Sequence, residues 1–122
     1  MKNFFLIFII SCTISSCGMF SINQAKVIPN SIPSAKLHEN YYERISITGG
    51  VGPVAVLILN IEPKNSGLIV TSYEGDDSMS RELVIKGKPV VSGKIHVYIT
   101  GVLDGSADKG RFDKEYIIKV SR

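Results

Sequence analysis

Hydrophobic and polar positions change rhythm twice along this chain. Phe4 to Ile14, FFLIFIISCTI, is almost wholly apolar, with nothing polar before Ser11. From Gly18 to about Glu39 the pattern breaks down, and Pro29, Pro33 and scattered Asn and Ser predict a linker or extended edge segment. Val27-Ile28 within it fits either that linker or a first strand, because Pro is tolerated beside edge strands. From Tyr41 onward, short strand-type runs alternate with turn signals. YERISIT sets Tyr42, Arg44, Ser46 and Thr48 on one side and Ile45 and Ile47 on the other. GGVGP breaks that strand. VAVLILNI is nearly continuous in apolar residues, the pattern of a central strand covered on both faces. LIVTSY, ELVIKG, KIHVYITGVL and KEYIIKV follow, with Ile95, Val97 and Ile99 sharing a face. No stretch repeats apolar residues at spacings of three and four, so no sizeable helix is predicted after the leading run. About seven short strands with turns between them predict an all-β sandwich. The organisation expected is 1–16 as a leader, 17–40 as an extended tether, and 41–122 as the folded domain.

Composition narrows the function. The chain has 122 residues, room for one domain, and a net charge of +3 from 14 Lys and Arg against 11 Asp and Glu. No basic run stands out, which argues against a nucleic-acid partner. The apolar run from Phe4 is too short for a bilayer-spanning helix of about 20 residues, and has the length of a signal-peptide core of about 7–15.

Ile14-Ser15-Ser16-Cys17, directly after that run, resembles the lipobox of bacterial lipoproteins: an aliphatic residue, two small residues and a cysteine. The resemblance implies cleavage before Cys17, a diacylglyceryl group on its sulfur, and a membrane partner reached through that lipid. Ile9-Ile10-Ser11-Cys12 is a rival of the same form. Cleavage there leaves a core only from Phe4 to Ser11, at the bottom of the useful length, which favours Cys17. Each buried methylene of a lipid contributes about 0.8 kcal/mol, so two or three chains hold firmly where one binds reversibly. Gly18 stands where an Asp would mark inner-membrane retention in the enterobacterial version of that family. The resemblance therefore implies the outer membrane, with the domain on its periplasmic or surface face.

A second resemblance covers about Tyr42 to Val120. Gly49, Gly50, Gly52 and Pro53, then Pro63, Gly67 and Leu68, then Gly87, Pro89, Ser92 and Gly93 follow an order similar to that of Ig-like domains of bacterial surface proteins. Val54 and Val56 replace the aromatics usual after the first turn, and the irregular spacing near Gly101 implies a bulge. The likeness implies a scaffold more than an activity.

Candidate chemistry is sparse. GGVGP is followed by an oily strand, whereas a phosphate-cradling loop needs a helix after it. His96 falls at an outward position of its strand and His38 in the expected tether, and no paired His/Cys spacing points to a metal. Asp104, Asp108 and Asp113 lack the alternation of a calcium loop, with Lys109, Arg111 and Lys114 between or beside them. No nucleophile elbow appears. The chain is thus expected to be no enzyme and to need no cofactor. Binding is expected on the two long polar loops, Glu74 to Ser80 and Asp104 to Asp113. The candidate residues are Tyr73, Asp76, Asp77, Asp104, Asp108 and Phe112, and the partner expected is a protein or an envelope polymer. An inhibitor or immunity lipoprotein that blocks a toxin or hydrolase is the alternative.

Overall fold

The computed structural model describes residues 23–73, 80–105 and 107–122. Two four-stranded sheets face one another. The first has the order β1 (Lys26–Ile28), β3 (Tyr41–Thr48), β6 (Glu82–Gly87), β5 (Leu68–Ser72). The second has the order β2 (Ala35–Lys36), β8 (Arg111–Ser121), β7 (Gly93–Leu103), β4 (Val54–Glu62). All pairings are antiparallel except that of β2 with β8. The one helical feature among the described residues is a 3-10 turn at Ala107–Gly110. This is an Ig-like β-sandwich, as the sequence predicts.

The period-two pattern determines the packing. Ile45, Leu83 and Ile85 on the first sheet and Ile95, Val97, Ile99 and Ile118 on the second are fully buried. Each contributes about 1.5–3 kcal/mol through the water it no longer meets. Tyr41, Phe112 and Tyr116 supply the aromatic volume of the core.

Two expectations are corrected. β4, the apolar run from Val54, is an edge strand: it pairs with β7 and, among the described residues, with no strand on its other side. Leu57, Leu59 and Ile61 pack against the core, while Val56 and Ile58 stand on the outer face, 50% and 60% exposed. A periodic reading cannot separate a strand covered on both faces from one whose outer face is apolar and bare. Pairing also begins well before Tyr41. Val27 sits opposite Ile47, Ala35 opposite Val120, and both are buried. The fold therefore takes in much of the segment expected as tether. The proline-rich link between β1 and β2 is pinned from the core: Tyr116 donates to Pro29 O at 2.5 Å and Tyr41 to Pro33 O at 2.7 Å. Burial pushes both phenols up, that of Tyr116 to about 12; for Tyr41 the nearby Glu43 adds to the effect.

The irregularity expected near Gly101 lies in its partner strand. The register slips between Val54 and Val56, leaving Ala55 as an extra residue in β4.

Candidate binding surfaces

Strand directions sort the connections to two ends. At the upper end lie the chain entering at Asn23, the turn after β3, the connection from β5 to β6, and the connection from β7 to β8. The lower end holds the turns β2–β3, β4–β5 and β6–β7, together with the last residues of β8.

The upper end is a knot of backbone hydrogen bonds. Gly49, Gly50 and Gly52 all take positive φ, which a glycine adopts at little cost. A Cβ on Gly52 would collide with the carbonyl oxygen of Asp104, so this turn closes directly onto the β7–β8 connection. Arg81 ties the turn down. Its guanidinium donates to Gly49 O at 2.8 Å, Ile47 O at 3.3 Å and twice to Gly52 O at 2.8 and 3.2 Å. The entering chain is sewn in beside it: Gly50 N donates to Asn23 O at 2.7 Å, Ala25 N to Lys109 O at 2.9 Å, and the Gln24 side chain to Arg111 O at 2.9 Å. No motif in the sequence marks Arg81; its role depends on carbonyls some 30 positions away.

The expected loop residues are dispersed. Cys17, Asp76 and Asp77 lie outside the described residues. Asp104 and Asp108 are exposed, in a turn and in the 3-10 turn respectively. Asp113 faces outward on the second sheet, accepting from Thr100 Oγ1 at 3.0 Å. Among the described residues no three His, Cys, Asp or Glu side chains come together in a way that could hold a metal ion. Phe112, expected as an exposed contact, is 4% exposed and belongs to the core, because it follows the inward phase of β8 with Tyr116 and Ile118. Tyr73 stays half exposed at the end of β5, with the Arg44 guanidinium 3.9 Å above its ring. Arg44 also pairs with Glu82 at 3.6 Å, and Ser46 donates to the same carboxylate.

Across the outer face of the second sheet the register aligns Val56 with Val102 and Arg111, Ile58 with Thr100 and Asp113, and Asn60 with Tyr98 and Glu115. A shallow depression of about 360 Å³ lies over the upper part of this face. Lower down, His96 Nδ1 is 2.7 Å from Glu115 Oε2, and the Tyr98 ring stacks on the imidazole with centroids 6.2 Å apart. Partial desolvation, and then Glu115, push the Tyr98 phenol up. His96 is outward as expected, yet partnered. It is an acid–base pair in form, and the Tyr98 phenol hydrogen-bonds to the same Glu115 carboxylate.

The lower end holds a groove of about 570 Å³ on the first sheet, between Asn40, Tyr42, Ile69 and Lys86. Gly67 and Gly87 form its floor. There the β4–β5 turn presses on the start of the β6–β7 turn, and a Cβ on either glycine would collide with backbone. Ser66, fully buried, ties the same turns: its Oγ accepts from Leu68 N at 3.2 Å and its carbonyl from Val90 N at 2.8 Å. His38, expected in the tether, sits in the β2–β3 turn and donates its backbone N–H to Pro89 O at 2.9 Å.

No family model and no curated protein matches the sequence. Solved structures do match in fold. Domains 4 and 5 of the S-layer protein SbsC superpose with a TM-score of 0.54 at 8% identity, over 84% of this chain and 53% of that one. The SrpA adhesin from Streptococcus sanguinis gives 0.54 at 11% identity, over 84% and 59%. SbsC domains 1–6 give 0.51 at 12% identity, over 83% and 13%. The chain thus spans little more than half the length of the first two structures, and at these identities the likeness is one of fold.

Proposed function

We propose that the protein is a non-catalytic binding module of the cell envelope, held at a membrane by lipid on Cys17. One observation carries the reading: the lipobox-like Ile14-Ser15-Ser16-Cys17 ends six residues before Asn23, where a sandwich of a fold found in an S-layer protein and an adhesin begins. Six residues reach about 20 Å at full extension, against about 80 Å for the 24 residues from Cys17 to Tyr41. The domain would therefore sit close to the headgroups with its upper end toward them. Gly18 favours the outer membrane within this reading.

The test is acylation in a bacterial host fed an alkyne-tagged palmitate. The wild-type chain should carry the tag and sediment with membranes, and Cys17→Ala should do neither. An untagged wild-type chain that keeps its leader would overturn the anchor. A pull-down from envelope extracts then identifies the bound component; a single stoichiometric toxin or hydrolase would replace the module reading with that of an inhibitor.

A further inference from the structure

The lysines look scattered in the sequence, but the fold collects them. Lys36 precedes the β2–β3 turn, and Lys86 and Lys88 flank the start of the β6–β7 turn. Lys64 lies in the β4–β5 turn, and Lys94 begins β7. Lys119 and Arg122 close β8 and its tail. All seven are exposed, and all are at the lower end. The acids there are Glu39 and Glu62, with Glu43 two rows higher on β3. Among the described residues the ion pairs are Arg44–Glu82 and His96–Glu115, so none of the seven cations is neutralised. The upper end differs: among the described residues Lys26, Arg81, Lys109 and Arg111 share it with Asp104 and Asp108.

The groove opens at this cationic end. Across the first sheet the register sets Ile69, Lys86 and Tyr42 side by side. Tyr42 is 56% exposed and Ile69 55%. A bare aromatic ring beside an apolar side chain suits the flat C–H face of a sugar ring, since the π face is electron-rich and takes up polarised C–H groups. Asn40 adds an amide that both donates and accepts. Lys86 in the groove and Lys88 beside it provide point charges for carboxylates, while Arg122, the one Arg among the seven cations, is not among the residues lining the groove.

We infer that the lower end is a binding site for an acidic glycan, a chain of sugar rings bearing carboxylates, with Tyr42 as the stacking platform and Lys86 and Lys88 as the principal charge partners. Unneutralised positive charge and an exposed ring within one groove carry the assignment. The groove suits a chain rather than a monosaccharide, because it is open and the remaining lysines extend the charge beyond it. That the glycan belongs to the envelope rests on the anchored-module reading; the site itself does not.

The experiment uses the full chain in a neutral polyoxyethylene detergent, titrated calorimetrically with three probes: oligogalacturonate, its methyl ester, and inorganic polyphosphate. Oligogalacturonate should bind, and the uncharged methyl ester should bind about tenfold or more weaker. Lys86→Glu with Lys88→Glu should weaken the acid by about tenfold or more, with melting temperature unchanged. Tyr42→Ala should weaken oligogalacturonate by about fivefold and leave polyphosphate unaffected. Absent binding, equal binding of acid and ester, or polyphosphate binding as tightly as the glycan with no effect of Tyr42 would each overturn the site. Cys17→Ala assayed in parallel separates the two proposals: glycan binding retained without lipid leaves the site standing whatever becomes of the anchor.

Discussion

Arg81, at the upper end, spends its guanidinium on three backbone carbonyls. At the lower end Lys86 and Lys88 stand exposed with no ion pair among the described residues. Both ends are closed by glycine turns that press backbone on backbone. At one end polar groups are consumed in holding the entering chain and the turns together; at the other they remain available. Polar groups that are already satisfied contribute to stability, and unsatisfied exposed ones are what a ligand can use. The comparison predicts that variants at the upper end change folding and variants at the lower end change binding.

The largest expected effect is that of Gly52→Val. Its φ of +97° is strained for any side chain, and the Cβ meets the Asp104 carbonyl. This variant should lose about 4 kcal/mol or more in urea unfolding, and a near-native midpoint would contradict the upper-end account. Arg81→Ala should cost about 2–4 kcal/mol, since it leaves partly buried carbonyls without donors. Lys88→Ala, with the same loss of a cation, should shift the midpoint by less than about 0.5 kcal/mol. Equal costs for the two would erase the distinction between the ends.

Alkaline titration probes the link between them. Tyr41 and Tyr116 hold the Pro29–Pro33 segment in their neutral form, and their folded pKa values lie above the unfolded value of about 10. The unfolded chain gives up its protons first as pH rises. Their contribution is therefore complete below about pH 10 and fades toward about 12, where folded Tyr116 ionises. Thermal midpoints should fall across that window, and Tyr116→Phe should flatten the fall. A wild-type midpoint constant to pH 12 would contradict the burial of these phenols. The smallest effect is that of Asp104→Asn with Asp108→Asn: calcium should leave the midpoint of wild type and variant alike within about 0.5 kcal/mol.

The inward faces were legible because alternation is local. Ile45 with Ile47, and Ile95 with Val97 and Ile99, announce their sheet face within five residues, and the structure buries all five. The position of β4 was not legible, since an edge strand with an apolar outer face carries the same letters as a buried one. β1 and β2 are three and two residues long, too short for any period to register beside two prolines. Polarity and length mark a loop, but neither carries the strand phase that turns Phe112 inward at the start of β8. The cationic end was the least legible: Lys36, Lys64, Lys88 and Lys119 are more than 20 positions apart in sequence and meet only through the sheet topology.

The opposition of the two ends predicts an orientation that can be measured. β7 is 11 residues long, so the ends lie about 35 Å apart along it. With the acylated chain in vesicles carrying acceptor-labelled lipid, energy transfer from a donor on Asp108→Cys should be strong, and from a donor on Lys88→Cys weak, with the second site about 35 Å farther from the bilayer. Equal transfer from both positions, or stronger transfer from Lys88→Cys, would contradict an upper end that receives the anchor and a lower end that faces away from it.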